Sequence, residues 1–212
     1  MVAVAVPAVW LGLIVQAYMN RAAEKQEVAQ GISNCRQIIT AVYAYASDHR
    51  GGPDGLSDRQ KTSSSSNQAF KMLFAEGILE NELIFGCPQS PYQPDGKIGT
   101  APHFVDALKA GENHWMFTPH LSDSPGSSVP FVYENAAVAT WNPKWNADAK
   151  RRPLPGRTWT KGIIIGMHDK SVALEKLAAT EGTEVPLKAM SDNGNTLFTQ
   201  HGDKFEVLDV ER

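Results

Sequence analysis

The sequence predicts an α+β protein in which one long N-terminal helix carries a small antiparallel sheet. Three observations predict it. Residues 2–19 read VAVAVPAVWLGLIVQAYM, a run with no charge and one amide, Gln16. Beyond it, Val28, Gly31, Ile32, Cys35, Ile38, Ile39, Val42 and Ala46 recur mostly at helical steps and so form one apolar stripe. The second half holds short β-branched and aromatic runs separated by turn-forming residues, the pattern of paired strands.

The first two observations describe one rod. No Gly or Pro pair punctuates the chain until Gly51-Gly52-Pro53, so the helix is expected over residues 2–48, on the order of 70 Å long at 1.5 Å per residue. Its first part, residues 1–20, is expected to be membrane-embedded. An uncharged run of about 18 residues is near the lower limit for crossing a bilayer core, and a membrane helix tolerates a residue such as Pro7. A signal peptide would need a basic segment ahead of the apolar run, and a buried core helix would not explain an apolar surface on every side. Residues 21–50 form the amphipathic half of the same helix. Residues 51–212 remain for a globular head, long enough for one core.

Within the head, residues 51–67 (GGPDGLSDRQKTSSSSN) read as a loop. Ser66 or Asn67 is expected to cap a second helix over residues 68–79, with Ala69, Phe70, Met72, Leu73 and Ile78 on its apolar side. Residues 89–102 are loop, and residues 103–110 suit a short helical turn. Strands are expected at 115–117 and 129–133. Residues 163–165 and 172–174 form a hairpin across His168-Asp169-Lys170-Ser171, and 196–199 pair with 204–208. The net charge of −3 gives no reason to expect nucleic-acid binding. The basic residues Lys150, Arg151, Arg152, Arg157 and Lys161 are interrupted by Pro153 and Pro155 and read as a solvated loop.

Several segments together resemble a known family. Arg21-Ala22-Ala23-Glu24-Lys25, Ser33-Asn34-Cys35-Arg36-Gln37-Ile38 and Ala44-Tyr45-Ala46-Ser47-Asp48 resemble the N-terminal helix of type IV pilin-like proteins. The likeness is to pseudopilin-type proteins of the planctomycete and verrucomicrobial kind. Cys87-Pro88-Gln89-Ser90-Pro91 is similar to their C-P-S-D-P motif, and Val129-Pro130-Phe131-Val132-Tyr133-Glu134 to one of their strands. Residues 162–172 are similar to their late strand–turn–strand segment.

The resemblance implies a non-enzymatic structural subunit of a pseudopilus, in a type II secretion or type IV pilus-like system. It implies a single pass through the inner membrane and a head on the periplasmic side, although Arg21 and Lys25 read by the positive-inside rule would hold the head in the cytoplasm. Its implied partners are the membrane, other pilin-like subunits through the helix, and secreted protein cargo on the head loops. Aligned on Arg21 and Gln37, Met1 falls just past the family's processing Glu. The leader ending in Gly, followed by F-T-L-x-E, is therefore expected upstream or is missing. Ile32, Ile39 and Val42 are the residues expected to pack rod on head.

Relatives often carry a cysteine where this chain has Gly31. Cys35 lies one helical turn on, on the same face. The resemblance thus implies a Cys35–Cys87 bridge in an oxidising compartment, worth roughly 3–4 kcal/mol for its loop length; two buried thiols are the alternative.

A search for chemistry returns little. H-E-x-x-H, C-x-x-C, G-x-S-x-G and phosphate-binding glycine loops are absent, so no catalytic residue is assigned. His114 and His120 flank a strand without a metal-ligand spacing, and His168 sits in a turn. Asp192, Asn193 and Asn195 offer oxygens around Gly194, a weak calcium candidate lacking the bidentate Glu of an EF-hand and otherwise an ordinary turn. No other cofactor is expected. Trp141, Trp145 and Trp159 could stack on sugar but more often close a core. The alternatives to a filament subunit are an anchored ligand-binding head that does not assemble and an anchored hydrolase using His168 or His114.

Overall fold

The computed structural model describes residues 5–48, 63–121, 128–149, 154–156, 159, 162–190, 192–200, 202 and 204–212, with the side chains of the first helix described from Leu13 on. Helix α1 spans Ala5–Asp48, 44 residues, and α2 spans Ser66–Ala75. A 3-10 turn at Leu83–Phe85 leads to strand β1, Trp115–Phe117. Strands β2 (Pro130–Glu134), β3 (Ile163–Met167) and β4 (Val172–Glu175) complete a sheet ordered β1-β2-β3-β4, antiparallel throughout. Long helix and small antiparallel sheet are thus both present. Among the described residues no helix is long and apolar enough to cross a membrane; part of the uncharged run at 2–19 lies outside them.

Strands β1, β2 and β3 are buried on both faces while β4 is partly exposed, and the pleat divides β3 between two cores. Ile164 joins the α1 side, with Cys35, Ile38, Ile39, Val42 and Phe131. Ile163, Ile165 and Met167 point the other way, to Met116, Tyr133, Trp145, Leu187 and Phe198. A strand buried on both faces reads as a continuous apolar run, which explains Ile-Ile-Ile where alternation is the rule for a one-sided sheet.

Helix and sheet approach closely because each supplies a glycine. A Cβ on Gly31 of α1 would come within 2.5 Å of Ile164 Cδ1, and one on Gly166 of β3 within 2.3 Å of Ile39 Cδ1. Neither position has room for a methyl group unless its neighbour moves.

Three expected elements change. Helix α2 starts earlier than the expected residue 68, because Ser65 caps it: its hydroxyl accepts from the Gln68 N–H at 3.2 Å. It also stops before residue 79, because Gly77 at φ 69° turns the chain and Ile78 and Leu79 donate back to the Leu73 carbonyl. The hairpin expected at 196–199 and 204–208 does not form. Residues 197–200 are a turn in which Thr196 and Thr199 side chains take the backbone N–H groups of Phe198 and Thr196, in competition with a ladder. Phe198 then packs against Tyr133 and Trp141, and Leu208 pairs with Phe117 at the β1 edge instead. The short helical turn expected at 103–110 is a series of turns with left-handed Phe104 and Leu108.

Candidate functional site

The rod–head seam is built from the predicted stripe. Ile39 and Val42 are fully buried and Ile32 is half-buried against the same core. Tyr43 adds a polar clasp: its hydroxyl donates to the His168 carbonyl oxygen, and its ring lies 5.8 Å from the His168 imidazole and 6.1 Å from Phe131. Lys170 sits 4.2 Å from the centre of the Tyr43 ring. His168 therefore belongs to the seam, in a turn wedged between α1 and β2.

Toward its other end α1 leaves the head. Leu13, Ile14, Val15, Tyr18 and Met19 are 50–75% exposed, although four of the five are apolar side chains of the kind a folded chain buries. The helix is one element with two faces of use: a stripe covered by the sheet, and an apolar sleeve that nothing in this chain covers among the described residues.

Cys35 and Cys87 are both buried and no disulfide joins them, so the bridge implied by the resemblance is not formed. The reason lies in where each points. Cys35 Sγ faces Gly166 and donates weakly to the Val132 carbonyl at 3.5 Å, whereas Cys87 Sγ lies 3.2 Å from where a Cβ on Gly31 would stand. One helical turn separates the two sulfurs' neighbourhoods. Burial, reinforced by the Glu134 charge, pushes the Cys35 thiol well up, which keeps it protonated and inert.

Beside that seam lies a small polar pocket. Cys87 from the Cys-Pro turn, His114 just before β1 and Glu134 at the end of β2 are all buried, and their ligand atoms lie within 4.8 Å of one another. The strand ends bring them near: Trp115 pairs with Glu134, and just past the strands the Asn135 N–H donates to the His114 carbonyl at 3.0 Å, which sets His114 one step from Glu134 where regular alternation has ended. His114 Nε2 lies 3.9 Å from Glu134 Oε2. The other carboxylate oxygen, Oε1, accepts from Trp159 Nε1 at 2.5 Å and from the Ile164 N–H at 3.2 Å. On the far side of the imidazole, Nδ1 is 2.7 Å from Ser90 Oγ and 2.8 Å from Asn135 Nδ2. Asn135 is oriented by Gly156, whose N–H donates to Oδ1 at 2.7 Å. Pro88, Gln89, Pro91 and Leu154 complete the lining of a cavity of about 10 Å³.

The remaining sequence candidates do not converge. His120 is exposed beyond the far end of β1, 3.5 Å from Glu206, and makes no pair with buried His114. Asp192, Asn193 and Asn195 lie in a turn where Asn193 Oδ1 accepts from the Asn195 N–H at 3.1 Å. The acidic residues that do converge are Glu82, Asp95 and Glu112, and Glu82 spends both oxygens on the N–H groups of Gly96 and Leu108. Trp145 is fully buried in the second core, Trp141 packs edge-on to Phe198 and Phe205, and Trp159 serves Glu134; no aromatic platform faces solvent among them. Lys150, Arg151, Arg152, Arg157 and Lys161 lie outside the described residues. Comparison with known proteins found no matching family model, no matching curated protein and no matching solved structure.

Proposed function

We propose that the protein is a non-enzymatic, membrane-anchored pilin-like subunit, its helix seated in the inner membrane or packed on neighbouring helices and its head outside the cytoplasm. One observation carries this reading: a continuous 44-residue helix whose later stripe is sealed by the head while Leu13, Ile14, Val15, Tyr18 and Met19 stand exposed. Burial of that sleeve in lipid, or against the same sleeve of another subunit, supplies the drive for anchoring and for assembly. The head offers its loops to other subunits or to secreted cargo.

Intact-mass spectrometry of the protein from its native membranes tests assembly. A mature N-terminus carrying N-methyl-Phe upstream of Met1 supports a processed filament subunit. An N-terminus at Met1 supports a second reading, an anchored ligand-binding head, which the pocket around His114 favours.

A further inference from the structure

We propose that Cys87, His114 and Glu134 bind one zinc ion, a property separate from the anchoring role above. Thiol, imidazole and carboxylate reach one cavity from three elements, and all three residues are buried. Zinc bound by sulfur at about 2.3 Å and by nitrogen and oxygen at about 2.0–2.2 Å sets its donors roughly 3.3–3.6 Å apart. The Nε2 to Oε2 separation of 3.9 Å is already close to that spacing, and small side-chain rotations close the set.

The surroundings aim the donors. Trp159 and Ile164 hold Glu134 Oε1, which leaves Oε2 turned to His114 as a monodentate ligand. Ser90 stands behind His114 as such partners commonly do. With zinc on Nε2 the ring proton sits on Nδ1 and donates to Ser90 Oγ. Asn135 Nδ2 then keeps its other bond, to the His114 carbonyl at 3.2 Å. Thiolate and carboxylate together carry two negative charges, matching the ion. Binding forms the S–Zn, N–Zn and O–Zn bonds and releases the Cys87 thiol proton to solvent. The cavity of about 10 Å³ is of the order of one water-sized site, the room the ion itself would take. Sulfur, nitrogen and oxygen donors in one set favour zinc over magnesium or calcium.

The test is titration of the full-length, chelator-treated protein in detergent with zinc, and with cobalt as a spectroscopic probe. The expected result is one ion per chain and a thiolate-to-cobalt charge-transfer band. Cys87→Ser abolishes the band and Cys35→Ser keeps it. Ser90→Ala weakens affinity about 10–100-fold while the band persists, the mark of a positioning residue. A measurement on the unsubstituted protein guards against misfolded variants: zinc should slow alkylation of Cys87 at least as much as chelator restores it, as read by peptide mass. Absence of stoichiometric binding, a cobalt complex without the thiolate band, or unchanged Cys87 alkylation would overturn the proposal.

Discussion

Gly166 shows how far a single methyl group matters in this fold. A Cβ there meets Ile39 Cδ1 at 2.3 Å, Cys35 Sγ at 2.8 Å and the Val132 carbonyl oxygen at 3.2 Å. Gly166→Ala should therefore destabilise the head by about 1–3 kcal/mol through overpacking. Ile39→Val removes the Cδ1 atom, so the double variant should recover part of that loss; thermal unfolding of the two single variants and the pair measures it, and strict additivity would contradict the contact. At the same seam, Ile39→Asp places a charge at a fully buried position and should cost more than ~4 kcal/mol, seen as loss of cooperative unfolding.

Asp209 gives a pH dependence of definite sign. Burial raises its carboxyl above the ordinary value of 3.8, against the pull of the Val210 N–H and Arg212. A carboxyl raised in the folded state binds protons more tightly there than in the unfolded chain. Its contribution is full below pH 3.8 and is lost as pH rises through the folded value. Asp209→Asn keeps an oxygen for the Val210 N–H, so it should raise stability near neutral pH and flatten the profile on the acid side. Unfolding midpoints of the two proteins across mildly acid to neutral pH check this, and parallel curves would contradict it.

Elements differ in how plainly the sequence announced them. Helix α1, strand β1 and the β3–β4 hairpin were legible because each carries its own periodicity and turn residues, as in the stripe from Val28 to Ala46 and the turn at His168-Asp169. Helix α2 was legible in kind, while its ends were set by Ser65 and Gly77. The second core was legible only in part. Trp145 was read as closing a core and Phe198 as part of a strand that does not form, while Leu187 sits in a segment without strand or helix period; isolated bridges such as Trp145 with Val185 hold the cluster. The pocket followed the same logic: Cys87, His114 and Glu134 are far apart in the chain, and only the β1–β2 register joins the last two. Pairing of the two strands sets the backbones of His114 and Glu134 one step apart, but the meeting of their side chains depends on the irregular backbone just outside the strands, which carries no periodic signal.

The tail of the chain is an element in its own right, and Asn67 is its clasp. Its amide donates to the Leu108 and Lys109 carbonyls at 3.0 Å each, and its oxygen accepts from the Glu211 N–H at 3.0 Å and from Asn113 at 3.1 Å. Asn67→Ala strands several buried groups at once and should cost about 2–4 kcal/mol. Hydrogen exchange should show the Glu211 amide losing protection before the sheet does, and uniform loss would contradict a local clasp.

At the scale of the whole molecule, the parts divide labour along the helix. The sheet seals the stripe through Cys35, Ile39 and Val42, and the head keeps its polar pocket beside that seam. The apolar sleeve around Tyr18 stands exposed, and in the proposed reading lipid or another helix covers it. The central claim is the anchor, and carbonate extraction of native membranes at high pH tests it most directly. The protein should remain in the membrane pellet and come away only with detergent. Quantitative release into the carbonate supernatant would contradict the anchor and leave the exposed sleeve to a protein partner alone.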